Sequence, residues 1–347
     1  MNEYTLSPAT AKLLKLHKKV AIFDVTTVDT QELDKFNRSE IKNRKSFKKL
    51  YKPVSHNISM ETFIIPVTGG NTTGYLFKKR DSESSTLIIY YHEGGWMLGN
   101  MECCKAICSN ICKSTNSAVF AVDYRLSPTF KFPIPVEDCY SAFVWAEQGA
   151  RYWKIDPQKI FLMGSCTGAN LAIAVSRLAR DRKGPKIAGL ILEDPLTDCR
   201  LRTNSMEVHK NHPLVPKKDF EFFIQNYQRE SRDILNPLFS PLLGLDHSRL
   251  PQTLIFSSEL SPLTTDANLY AGALNSADTP VKLITEKNKL HSFMKYPDSD
   301  RYDDEMAAIY SFLDGKTVIN IELLTKKQRK KLKRIKPAVV STDEDSQ

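Results

Sequence analysis

A cysteine stands in this chain where the surrounding residues are arranged to present a nucleophile. Met163-Gly164-Ser165-Cys166-Thr167-Gly168-Ala169 follow a Gly-x-Ser-x-Gly pattern with cysteine in place of the central serine. In that pattern a strand ends in a tight, strained turn and a helix begins, so one side chain is pushed up from the sheet. Gly164 and Gly168 flank the bend because a Cβ at either place crowds strand against helix. Cys166 is the side chain presented, and Ser165 is expected to point aside. Thiolates attack acyl carbons. A free thiol ionises near pH ~8.5, and a helix N-terminus or an imidazolium favours the thiolate. Two other groupings invite chemistry. Cys104, Cys108 and Cys112 recur every fourth residue, but without paired cysteines or a histidine they read as a small apolar stripe on a helix. His209 and His212 lie near Glu207 at a loose spacing with no further ligand set, so no metal is expected.

The elements that must position Cys166 alternate between two periods. Glu61–Val67, Thr86–Tyr91, Ala118–Tyr124, Lys159–Met163, Ile187–Glu193, Thr253–Ser257 and Val281–Glu286 read as strands. Val136–Glu147 is amphipathic, Leu171, Val175 and Leu178 follow the cysteine turn at helical spacing, and Asp303–Leu313 reads as a closing helix. The alternation predicts an α/β fold with a mostly parallel sheet covered by helices on both faces. Residues 198–235 break the rhythm. Their Phe220-Glu221-Phe222-Phe223 run predicts a helical cap inserted above the strand ends. Residues 1–50 read as a polar, helix-prone segment, 51–318 as the main domain, and 319–347 as a basic and then acidic tail.

The chain has 347 residues and a net charge of +9, much of it in the runs Lys42–Lys49 and Lys326–Lys336. The body between them is nearly balanced. A solvated tail is the plain reading of Lys326–Lys336, and binding to nucleic acid or an acidic membrane is the alternative. Seven cysteines and an N-terminus without a signal pattern predict reduced thiols. No apolar run reaches the ~18 residues of a membrane span, and a soluble, cytoplasmic protein is expected.

Several stretches, in order, resemble the hormone-sensitive-lipase-like branch of the α/β-hydrolase esterases, the group that includes arylacetamide deacetylases. Tyr91-His92-Glu93-Gly94-Gly95-Trp96 is similar to its His-Gly-Gly-Gly loop. Asp123-Tyr124-Arg125-Leu126-Ser127-Pro128 is similar to its Asp-Tyr-Arg-Leu-Ala-Pro signature. The Cys166 turn, Ser261-Pro262-Leu263 and His291-Ser292-Phe293 complete the series, and the resemblance covers roughly residues 55–315. It implies an α/β-hydrolase fold, a nucleophile position at Cys166, an acid position at Ser261 and a base position at His291. It also implies oxyanion donors at Gly94, Gly95 and Thr167, a supporting role for His92, and a substrate pocket bounded by Trp96. No cofactor or metal is implied.

Two of the three triad positions depart from the family. Ser261 stands where the family carries aspartate; a hydroxyl accepts a hydrogen bond from histidine but brings no charge. Glu259 and Asp266 are the nearby carboxylates that would stand in for it, and Glu93 replaces a family glycine beside the oxyanion loop. A Cys-His pair depends less on a third carboxylate than a Ser-His pair, because thiols ionise more readily. Two readings follow. One is a hydrolase of small carboxylic esters or thioesters acting through Cys166. The other is a catalytically silent relative that binds an apolar ester, an acyl ligand or a protein partner.

Overall fold

Leu87-Ile88-Ile89-Tyr90-Tyr91 is apolar at every position, as a strand covered on both sides must be. It forms β3 (Leu87–Tyr91), buried throughout. Its alternate residues feed two separate cores. Leu87, Ile89 and Tyr91 join Phe120, Leu162 and Leu192 on one face. Ile88 and Tyr90 join Val119, Phe161, Met163 and Ile191 on the other. This computed structural model describes residues 8–20, 55–99, 101–295 and 302–315, with Leu6 and Thr26. Within the expected 1–50 segment, Pro8–Val20 forms a helix, α1. The basic runs Lys42–Lys49 and Lys326–Lys336 and the 319–347 tail lie outside the described residues.

Around β3 the described strands form one sheet. β1 (Ile58–Val67) and β2 (Gly70–Lys79) make an antiparallel hairpin in which Val67 pairs with Gly70 across Thr68-Gly69. β2 pairs antiparallel with β4 (Ala118–Asp123). The remaining strands, β5 (Ile160–Ser165), β6 (Gly189–Glu193), β7 (Thr253–Ser258) and β8 (Val281–Glu286), run parallel to β3 and β4. The sheet order is β1-β2-β4-β3-β5-β6-β7-β8.

Helices cover both faces. α3 (Ile134–Gly149), α4 (Thr167–Asp181) and α7 (Thr264–Ser276) supply Phe143, Leu171, Val175 and Tyr270 to the first core. α2 (Met101–Thr115) and α8 (Tyr302–Leu313) supply Cys104, Cys108, Cys112, Ile309 and Phe312 to the second. The cysteine stripe of α2 is therefore core. Burial pushes the Cys108 thiol well up and the Cys112 thiol to about 12. Between β6 and β7 two helices form a cap, α5 (Asn204–Val208) and α6 (Lys217–Tyr227). The latter buries Phe220, Ile224 and Tyr227 in the first core. No described helix is long and apolar enough to cross a membrane. The parallel strands β5 to β8 end at the same edge of the sheet, where open α/β sheets gather their functional groups.

Candidate active site

β5 ends at Ser165 and α4 starts at Thr167, so Cys166 makes the turn alone. Its backbone lies at φ 53° and ψ −115°, a conformation that costs a residue with a Cβ about 1–3 kcal/mol. The flanks leave no alternative. A Cβ on Gly168 would strike the Tyr91 carbonyl, and one on Gly164 would strike the Gly168 backbone. The Cys166 N–H donates to the Glu193 carbonyl at 2.9 Å. The thiol is buried. Ser165 points the other way, its Oγ 2.8 Å from that of Ser292.

His291 follows β8 and its loop carries it back over β7 and β6 to the neighbourhood of Cys166, close enough for the thiol to act on the ring's ionisation. Ser261 reaches the far side of the ring, with Oγ 2.9 Å from His291 Nδ1. The Leu263 N–H donates to the same hydroxyl at 3.1 Å. The structure thus brings Cys166, Ser261 and His291 together.

The two stand-in carboxylates are elsewhere. Asp266 is buried beneath the segment after β6, accepting the Thr197 and Asp198 N–H groups at 3.0 and 2.9 Å. Burial raises its pKa to about 6. Glu259 accepts the Asn288 N–H at 2.9 Å on an exposed turn. Neither serves His291, because each is spent on holding a loop. The carboxylate that does reach the ring is Asp194, absent from the sequence-based expectations, with Oδ2 3.4 Å from His291 Nδ1. The acidic doublet Glu193-Asp194, ending the apolar run Gly189–Leu192, was the available signal. Glu193 is also buried, and its Oε1 accepts the Met294 N–H at 2.6 Å. Burial, then the neighbouring Asp194, raises the Glu193 pKa to about 7. For His291, burial alone would lower the pKa. Charge and hydrogen bonding from Cys166 and Asp194 prevail and raise it to about 10.

The glycine loop after β3 is tightly packed. Gly95 sits at φ 66°, and a Cβ there would strike the Phe223 ring of α6. The Gly95 N–H donates to Thr167 Oγ1 at 3.0 Å. Gly94 turns at φ 122° and its carbonyl accepts from Leu98 at 2.7 Å. His92 is buried behind the loop, stacked on Tyr124 at 4.3 Å, with Tyr124 Oη donating to the His92 carbonyl at 2.9 Å. Burial lowers its pKa. Trp96 is fully buried and stacked on Tyr227 at 4.2 Å, packing the loop against α6. One carboxylate oxygen of Glu93 is buried, and its charge raises Glu193, so the side chain turns inward.

The cap closes over the base. Phe220 and His212 meet the His291 ring edge-on, with centroids 6.2 and 6.3 Å away. His212 Nδ1 accepts the Val215 N–H at 3.2 Å, and no described group of three or more His, Cys, Asp or Glu side chains is arranged to hold a metal ion. A cavity of about 530 Å3 opens beside the cap, lined in part by Cys199, Arg202, Lys217, Glu221 and Ile224. Cys199 lies near enough to Cys166 for their charges to interact.

Residues 88–295 match the family model for the α/β-hydrolase fold. An arylesterase from Saccharolobus solfataricus is 30% identical over 301 residues, covering 85% of this chain and 94% of its own. The carboxylic ester hydrolase LipN of Mycobacterium tuberculosis is 33% identical over 244 residues, covering 69% of this chain and 65% of its own. A solved arylesterase superposes with a TM-score of 0.77 at 28% identity, covering 89% of this chain and 99% of that one. The hyperthermophilic esterase of Pyrobaculum calidifontis gives 0.80 at 26% identity, covering 90% and 99%. With a thiol on the β5 turn, a histidine arriving from β8 and a glycine loop beside them, the chain belongs to the α/β-hydrolase fold family, in its hormone-sensitive-lipase-like esterase branch.

Proposed function

We propose that this protein hydrolyses small carboxylic esters or thioesters, with Cys166 as nucleophile and His291 as proton carrier. The carrying observation is that these two side chains lie close enough for the thiol to act on the histidine's ionisation, with Cys166 held in the backbone conformation of the elbow turn. The Cys166 thiol passes its proton to His291 as its sulfur attacks the acyl carbon, so an S–C bond forms while the carbonyl π bond opens to an oxyanion held by the N–H groups of Gly95 and Thr167. His291 then gives its proton to the departing alkoxide, leaving a thioester on Cys166. Water adds to that thioester as His291 removes its proton, and the acid leaves as the S–C bond breaks. The apolar rings of Phe220 and Phe223 favour an apolar acyl or alcohol group, and the arylesterase and ethyl acetate hydrolase activities named for relatives support this reading.

A second reading rests on the Thr167 hydroxyl already bonded to the Gly95 N–H and on Phe223 seated against Gly95. A site closed in this way fits a protein that binds an apolar ligand or partner without turning it over. Hydrolysis of short p-nitrophenyl esters separates the two. The hydrolase reading expects turnover that a thiol alkylator and Cys166→Ala abolish and Cys166→Ser reduces. Turnover untouched by both treatments removes Cys166 from the chemistry, and none in the wild type favours the silent reading.

A further inference from the structure

We infer that Asp194, at the end of β6, is the positioning carboxylate of this site, in the role that the sequence pattern would give to Ser261. The inference rests on the Cys166–His291 reading and adds the third member of the set. Its geometry comes from the sheet. β6 is hydrogen-bonded between β5, which carries the nucleophile turn, and β7, after which Ser261 lies. Ser165 pairs with Glu193, and the Asp194 N–H donates to the Phe256 carbonyl at 2.8 Å, so Asp194 leaves the sheet level with Cys166. Adjacent strands are about 4.8 Å apart. A histidine loop arriving from β8 must cross the end of β6 to reach β5, so a carboxylate there meets the far side of the ring.

The surroundings of Asp194 fit a fixed anion. Its side chain is fully buried. Oδ1 accepts the Ser258 N–H at 2.8 Å. Oδ2 accepts the Ser258 hydroxyl at 2.5 Å and the Ser292 N–H at 3.0 Å, and lies 3.4 Å from His291 Nδ1. Three of these contacts are with N–H or O–H donors, and one of those comes from Ser292, next to His291. Asp194 therefore fixes the base in two ways, through its ring nitrogen and through its backbone. Glu193 assists from behind by accepting the Met294 N–H. Ser261 shares Nδ1 at 2.9 Å but is itself held by the Leu263 N–H, and supplies no charge. The other titratable groups near the ring are Cys166 and His212, with Glu93 beyond Glu193.

The test compares Asp194→Asn with Ser261→Ala in the full chain, using two readouts. One is the pH profile of ester turnover and of Cys166 alkylation. The other is the ring Nδ1–H resonance of His291 in protein labelled with 15N-histidine, assigned by its loss in His291→Gln. Asp194→Asn should lower kcat about tenfold or more with little change in KM. It should also shift the alkylation profile and move the Nδ1–H resonance upfield. Ser261→Ala should cost less and keep the downfield resonance. Adding Ser261→Asp to Asp194→Asn should recover part of the loss by restoring a carboxylate from β7. The inference is overturned if Asp194→Asn keeps the wild-type kcat and pH profile, or if Ser261→Ala alone removes the downfield resonance. If Asp194→Asn does not fold, the Ser261→Ala spectrum decides. Because that resonance needs no turnover, a catalytically silent wild type would defeat the hydrolase reading while leaving this test intact.

Discussion

On the hydrolase reading proposed above, Thr167 sets the balance between a working and a blocked oxyanion site. Its hydroxyl accepts the Gly95 N–H at 3.0 Å, so a developing oxyanion must displace a hydrogen bond before it gains that donor. A neutral hydrogen bond contributes about 1 kcal/mol net, whereas an oxyanion donor is worth about 3–4 kcal/mol in the transition state. The donor wins, and the hydroxyl acts as a tax of about fivefold on rate. Thr167→Ala should raise kcat by that factor with KM little changed, as measured with p-nitrophenyl acetate. A fall in kcat would mean that the hydroxyl itself serves the oxyanion. At this scale the positions of Cys166 and His291 were legible, because each follows a local pattern: glycines around Cys166, a strand before His291. Asp194 was not. The Glu193-Asp194 doublet marks a carboxylate at a strand end, but its place beside His291 depends on the lateral order of β5, β6 and β7, which the doublet does not carry. Trp96 was legible as an aromatic beside the loop, but its burial under Tyr227 comes from the cap.

The loop from His291 to Lys295 is pinned to the sheet by paired carboxylates, and one of them makes stability depend on pH. Glu193 accepts the Met294 N–H, and burial raises its pKa from 4.5 to about 7. The folded state therefore binds this proton more tightly than the unfolded chain. That contribution is fully present below pH 4.5 and is lost as pH rises through about 7. Each pKa unit is worth about 1.4 kcal/mol, so the loss is on the order of a few kcal/mol. Glu193→Gln keeps an oxygen for Met294 and removes the titration. Urea unfolding at pH 5 and pH 8 should show a smaller drop in the variant than in the wild type; equal drops would deny Glu193 this role. The elbow gives a second expectation. A Cβ on Gly168 has only the Tyr91 backbone to meet, so Gly168→Ala should cost about 1–3 kcal/mol or more by the same assay. The period-two and helical patterns made the parallel strands legible. β2 escaped because Gly70-Asn71-Thr72-Thr73-Gly74 carries few apolar residues. Its place is set by pairing with β1 and β4 rather than by its own composition.

Across the molecule, the Asp123-Tyr124-Arg125 stretch joins parts that are far apart in sequence. Arg125 donates to Asp138 from Nε at 2.8 Å and Nη2 at 2.6 Å, and Nη2 also reaches the Thr68 carbonyl at 2.9 Å. One side chain thus ties the β1–β2 hairpin and the loop after β4 to α3. Asp138 is fully buried, so Arg125→Ala strands a charge and should cost about 3–5 kcal/mol in denaturant unfolding. A change under 1 kcal/mol would show the pair to be dispensable; that threshold is about the worth of an exposed ion pair. The cap closes the same body from above, with Phe220 and Phe223 laid over His291 and Gly95. The α/β plan followed from the alternation of strand and helix periods. The closure of the site did not, since it depends on which rings of α6 face inward. Mass spectrometry of the protein quenched during turnover of a p-nitrophenyl ester shows where the acyl group goes. An acyl adduct is expected on the peptide containing Cys166, absent in Cys166→Ala and released by hydroxylamine at neutral pH, as a thioester is. An adduct on Ser165 or elsewhere, or full turnover in Cys166→Ala, would contradict Cys166 as the nucleophile.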